Sequence, residues 1–281
     1  MPSHVQVNGY WLLVALIADV CVILYPIVLA IIAHRRLHVS WKYFGFGALI
    51  FFLFQVISRV PLVTWLGSVL APQLNASPLF FYIWLTALAL TAGLFEEVGR
   101  YVGYRWFMRR EEKTWNKAVM YGLGHGGLES ILLVGGLGLL TIVNLSALSS
   151  LDLNSLPAAQ HGQIVQQVNA INAQPTWFPL LSFWERIWTV PVHVGLSVMV
   201  LQVFRRKQLN WLWLAILAHA LLDFVAVAIL HVFGSSVLVY IIDELVIAAF
   251  GVAAIWITLK LRDKPETLAT ETPHPLAQEM A

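Results

Sequence analysis

Seven long apolar runs, separated by short polar stretches, divide the chain at roughly 10–33, 43–66, 79–104, 117–143, 180–204, 211–232 and 237–259. A bilayer crossing takes about 20 apolar residues, so each run predicts one membrane-spanning helix. The first is no signal peptide: residues 1–9 lack a basic n-region, and the run is too long and ends directly on His34, Arg35 and Arg36. The pattern predicts an all-α polytopic membrane protein, a bundle of about seven transmembrane helices forming a single domain over residues 1–262.

Composition removes the other classes. Charged residues are 11% of the 281 positions and hydrophobic ones 59%, whereas an average soluble chain carries about 25% charged residues. A mean hydropathy of +0.76 excludes both a soluble globular protein and a disordered one. The net charge of +2 gives no reason to expect nucleic acid. Cys21 is the one cysteine, so no disulfide framework, CxxC pair or thiolate metal site exists, and a metal would need N and O ligands.

Lysine and arginine collect on cytoplasmic loops. Here they cluster as Arg35, Arg36 and Lys42; Arg105, Arg109, Arg110, Lys113 and Lys117; Arg205, Arg206 and Lys207; and Lys260, Arg262 and Lys264, with none on the alternate loops. Only Arg59, Arg100 and Arg186 fall inside spans. This predicts an outside N-terminus and an inside C-terminus. The connection at about 144–178 is polar, with Ile164, Val168 and Ile171 at helical spacing, and reads as either a short helix lying on the membrane surface or a mobile loop. Residues 263–281, rich in Pro, Thr, Glu and Ala, read as a disordered cytoplasmic tail.

Ionisable groups inside a membrane cost about 2.5 to 3.5 kcal/mol each even on insertion scales, so they face the bundle interior and are functional candidates. The third span carries Glu96, Glu97 and Arg100, the fourth His125 and Glu129, the fifth Glu185, Arg186 and His193, and the sixth His219 and Asp223. At about 1.5 Å per residue from the nearest cytoplasmic basic residue, Glu96, Glu97 and His125 lie roughly 12 to 14 Å in, and His193 and His219 roughly 18 Å in. Four helices thus bring acids and imidazoles to one level.

Spacing adds to depth. Arg100 stands at i+4 from Glu96 and i+3 from Glu97, so it can hold one carboxylate while the other stays free. His125 with Glu129, and His219 with Asp223, are i, i+4 pairs that can chelate a divalent metal, or in which the acid sets the imidazole tautomer. The glycines at 122, 124, 126 and 127 strip bulk from around His125. Arg59, Glu185, Arg186, Asp243 and Glu244 lie nearer the outer boundary and read as a structural charge belt.

The ordered set resembles a known group of enzymes. Glu96-Glu97-Val98-Gly99-Arg100, Tyr121-x-x-x-His125 and His219-x-x-x-Asp223, each on its own span, resemble the CAAX-protease and bacteriocin-processing family of intramembrane peptidases. That family's first motif has three residues between glutamates and arginine, and this chain has two, as in the related PrsW-type proteases, whose basic residue is lysine. With His-Gly-Gly-Leu-Glu on the fourth span and Glu185-Arg186 followed by His193 on the fifth, the chain looks most like the YhfC-type membrane metallopeptidases of bacteria. The resemblance covers roughly residues 90–225. It implies a bacterial inner-membrane peptidase acting on a membrane or lipidated peptide, in which a first-motif glutamate activates water and the histidines bind a metal or polarise the scissile carbonyl.

Amide hydrolysis needs an activated water, a polarised carbonyl and a proton for the leaving amine. A divalent metal, zinc foremost, held by His125, His219 and a third ligand among Glu129, His193 and Asp223 would supply the first two. Two His-x-x-x-acid pairs exceed what oxyanion stabilisation alone requires, which favours the metal over a metal-free glutamate protease. A proton- or metal-coupled transporter would also place acids and histidines at mid-depth, but here the charges cluster and no Pro or Gly breaks stand at matched positions.

Overall fold

The computed structural model of the protein describes residues 4–149, 151–153 and 157–263. Among the described residues seven helices are long and apolar enough to cross a membrane: α1 (Gly9–Leu37), α2 (Lys42–Ala76), α3 (Pro78–Trp106), α4 (Trp115–Ser149), α6 (Leu180–Arg206), α7 (Asn210–Phe233) and α8 (Val237–Lys260). An eighth helix, α5 (Ala158–Asn172), lies in the 144–178 connection. No strand occurs among the described residues.

Local chemistry starts and stops these helices. The Asn8, Ser77, Thr114 and Ser236 side chains accept from the first backbone N–H groups of α1, α3, α4 and α8, satisfying donors that lack an intrahelical partner. His38 and Lys207 close α1 and α6 in the left-handed conformation. The basic last turns of α1, α3, α6 and α8 all follow from the same alternation, so the bundle has one basic end.

Polarity is inverted relative to a water-soluble fold. Leu13, Ile17, Leu24, Leu245, Val252 and Trp256 are exposed, whereas Glu96, Glu97, Arg100, His125 and His193 are buried. In a bilayer the outward face must be apolar, and ionisable groups lie inside only when they find one another. Helix α6 forms the axis: 72% of its most apolar window is buried, against at most 33% in any other span. It packs on α1, α3, α4, α7 and α8, which brings His193 against residues from all the motif-bearing helices.

Helices α2 and α4 approach backbone to backbone. A Cβ on Gly124 would come within 2.0 Å of the Phe44 carbonyl oxygen, and one on Gly47 within 2.0 Å of the Tyr121 oxygen. Both helices also contain wide, π-type turns, at Phe52–Arg59 and Ser130–Gly135. The extra residue per turn shifts which side chains face inward, a device common beside functional sites; Gln55 and Leu133, one from each turn, line the site cavity.

The helix in the connection packs on protein. Val168, Ile164 and Ile171 meet Val5, Val7, Trp11 and Leu145 in a small apolar cluster over the end of the bundle opposite the basic turns, and Asn172 binds the Asn8 N–H at 2.9 Å and the Gln6 carbonyl at 2.8 Å. Asp263, where the tail was expected to begin, accepts from the Trp115 N–H at 3.2 Å and pairs with Arg205. The rest of the expected tail lies outside the described residues.

Candidate metal centre

The buried face of α3 presents Glu96, Glu97 and Arg100 to His125 of α4, His193 of α6 and His219 of α7. Gly126 makes the approach of α6 to α4 feasible, since a Cβ there would lie 2.8 Å from the His193 ring. The two carboxylates divide as their spacing to Arg100 suggests. Glu97 pairs with Arg100 and accepts from His219 Nδ1 at 2.8 Å. Glu96 lies 3.8 Å from the same guanidinium, and its Oε2 meets His125 Nε2 at 2.9 Å.

The hydrogen bonds fix two imidazole tautomers. Arginine can only donate, so His193 Nδ1 accepts from Arg100 Nη2 at 2.6 Å and its proton sits on Nε2, 2.7 Å from Glu129 Oε2. His219 donates through Nδ1 to Glu97, so in the neutral ring Nε2 carries the lone pair, 3.9 Å from Glu96 Oε2 and 3.8 Å from Asp223 Oδ2. His125 is wholly buried, edge-on to Phe51 at 5.1 Å between ring centroids, and its Nδ1 has no partner.

Beside them lies a cavity of about 160 Å³ lined by Glu96, Glu129, Arg186, His193, His219 and Asp223 among others. Glu96, His125 and His193 each bring a ligand atom within 4.8 Å of the other two. One carboxylate and two imidazoles form a donor set that zinc takes. Glu97 behind His219 stands where an outer carboxylate would fix that imidazole's tautomer and raise its basicity as a ligand. The orphaned Nδ1 of His125 is a further donor in want of a partner. His193 fits with one adjustment: both its nitrogens are engaged, so it ligates by giving up either Arg100 or Glu129.

With that geometry in hand, comparison with known proteins places the chain. Residues 21–247 match the model of the YhfC intramembrane metalloprotease family. The chain belongs to that family. It is also 34% identical to a protein of Bacillus subtilis (strain 168), described as the uncharacterized membrane protein YhfC, over 210 residues that cover 73% of this chain and 79% of that protein. No solved structure matches. The stretch matched to the YhfC family contains every residue that lines the cavity, and the chain, with its seven apolar helices, is an integral membrane protein, as expected for a bacterial inner membrane.

The structure brings Glu96, Glu97, Arg100, His125, His193 and His219 into direct contact and sets Asp223 at the cavity's edge, its side chain 38% exposed. It differs from the spacing argument at Glu129. The expected i, i+4 hydrogen bond with His125 does not form; both residues lie in the regular α-helical part of α4 and face α6, where Glu129 binds His193 and Arg186, the latter at 2.9 Å. Arg186 therefore belongs to the site it was expected to stand apart from, and it pairs with Glu185 as well. Arg59 joins no belt either: it binds the Leu88 carbonyl at 2.6 Å, Thr91 and Gln55. Gln55 and Phe51 carried only a weak sequence signal, a lone amide and one phenylalanine among many in an apolar run.

Proposed function

We propose that the protein is an intramembrane metallopeptidase that hydrolyses peptide bonds of membrane-associated or transmembrane peptides. The observation that carries this reading is the convergence of ligand atoms of Glu96, His125 and His193 within 4.8 Å of one another, beside a cavity that Glu96, Glu129, His193 and Asp223 line. Those three residues, with the Nε2 of His219 beside them, would hold a divalent metal, which would supply a Lewis acid and a water acidified to a pKa of about 7.

The chain's own groups supply the rest. Glu97 is committed to Arg100 and His219, so it acts by positioning: it holds the Nδ1 proton of His219 and keeps Nε2 turned to the cavity. Arg100 spans Glu97 and His193 and stays charged at any working pH. Asp223 makes no hydrogen bond and is partly exposed, which leaves its carboxylate free to take a proton from water and return it to the leaving amine. The low-dielectric wall of α6 and α7 makes each of these charges act more strongly than it would in water.

The test is metal content and cleavage measured together on purified protein. Wild type should carry one zinc per chain and cleave a membrane-anchored reporter; His125→Ala with His193→Ala should lose both, while Asp223→Asn should keep the metal and lose cleavage. Metal-driven uptake into proteoliposomes without any cleavage would overturn the peptidase reading.

A further inference from the structure

The site cavity extends away from the basic end along one face of α6, through Val192, Thr189, Arg186 and Glu185, about 12 Å of helix from His193. On the other side of Glu185 lies a second cavity of about 480 Å³, walled by α1, α4, α6 and α8 and roofed by residues 171–179. Glu185 lines both.

Two carboxylates in this second cavity lack partners. Asp19 and Glu244 are 6% and 8% exposed, and Asp19 Oδ2 and Glu244 Oε2 accept no hydrogen bond. Asp19 is seated on Gly138, where a Cβ would come within 2.4 Å of its oxygens. Among the described residues no lysine or arginine lines the cavity, and Arg186 beside Glu185 is already committed to Glu129 and Glu185. Buried polar atoms without partners are costly, so this arrangement is suited to a ligand that brings its own donors. The remaining wall is apolar and aromatic, with Trp11, Phe178 and Tyr240, which matches the methylene stem of a basic side chain.

We propose that the second cavity is the substrate's access groove, and that it binds a cationic group of the peptide, a lysine or arginine side chain or an amino terminus, between Asp19 and Glu244. The peptide part rests on the peptidase reading above. In the orientation given by the basic turns, the groove opens on the outer face. The substrate class this implies is a membrane peptide with a positive charge on its outer flank and its scissile bond one or two helical turns deeper.

Thiol labelling tests this without reading cleavage. In intact cells or right-side-out vesicles of a Cys21→Ser background, Ser182→Cys reports on the groove and Thr189→Cys on the passage beyond Glu185. Normalised to a free thiol, a cationic trimethylammonioethyl methanethiosulfonate should modify both from outside about tenfold faster than the anionic sulfonatoethyl reagent, the enrichment expected of a cleft of one charge sign. Asp19→Asn with Glu244→Gln should bring that ratio to about one. A lysine-centred tripeptide should slow the labelling, and its norleucine counterpart should not. Equal rates for the two reagents with the acids intact, or labelling only from inside, would overturn the proposal even if the double variant failed to accumulate. Protection by magnesium or zinc ions but not by the lysine tripeptide would overturn the peptide as occupant. Cleavage that persists with an uncharged groove would sink the groove alone, and selective labelling without cleavage would sink the peptidase reading alone.

Discussion

His219 of α7 donates its Nδ1 proton to Glu97 of α3 at 2.8 Å, and the same carboxylate holds Arg100. One oxygen thus ties a histidine's tautomer to the charge that neutralises the site. Glu97→Gln keeps the shape of this link and removes its charge. Zinc affinity should fall about 10- to 100-fold, the usual cost of losing an outer partner of a ligating imidazole, measured by chelator competition on protein that accumulates normally. Unchanged affinity would mean that His219 does not ligate.

Chelation should be reversible. Dialysis against a strong zinc chelator should abolish reporter cleavage, and added zinc should restore it, because several kcal/mol of transition-state stabilisation come from the ion. Activity that survives complete metal removal, checked by elemental analysis, would favour a metal-free glutamate mechanism.

Arg100→Lys should not rescue the arginine. The guanidinium reaches Glu97 and His193 at once, whereas a single ammonium at the end of a flexible stem does not reproduce that planar fork. Cleavage should drop at least about tenfold, the cost of roughly one lost hydrogen bond to a charged group. Arg100→Ala should cost about 3 to 5 kcal/mol of stability by leaving the buried Glu97 charge without its guanidinium partner, read as lost membrane accumulation.

Glycine substitutions separate close packing from incidental small residues. Gly124→Ala places a methyl 2.0 Å from the Phe44 carbonyl oxygen, and Gly47→Ala meets the Tyr121 oxygen at the same distance. Backbone cannot give way, so α2 and α4 must part, and the thermal midpoint in detergent should fall by several degrees. Gly45→Ala, where nothing lies within 4 Å, should leave it unchanged.

Much of the site was legible because helical spacing and depth are one-dimensional quantities. Glu96, Glu97 and Arg100 share a face whatever surrounds them, and a Glu or His deep in an apolar run must turn inward to escape lipid. Partner choice between helices is not encoded that way. Glu129 sits one turn from His125 in the sequence, yet its partners are Arg186 and His193; the central position of α6, packed against α4, decides that. Arg59 likewise found carbonyl and hydroxyl oxygens within reach and needed no acid.

The sequence by itself determined seven apolar helices, the basic end of the bundle, and which acids and imidazoles had to be hidden, since each follows from transfer free energy counted along a single helix. Only the tertiary structure decided that His193 comes within 4.8 Å of Glu96 and His125, that Glu97 binds His219, and that a second acid-lined cavity shares Glu185 with the first. Those outcomes depend on the rotation and separation of neighbouring helices, which side-chain packing and glycine contacts set jointly across segments distant in the chain.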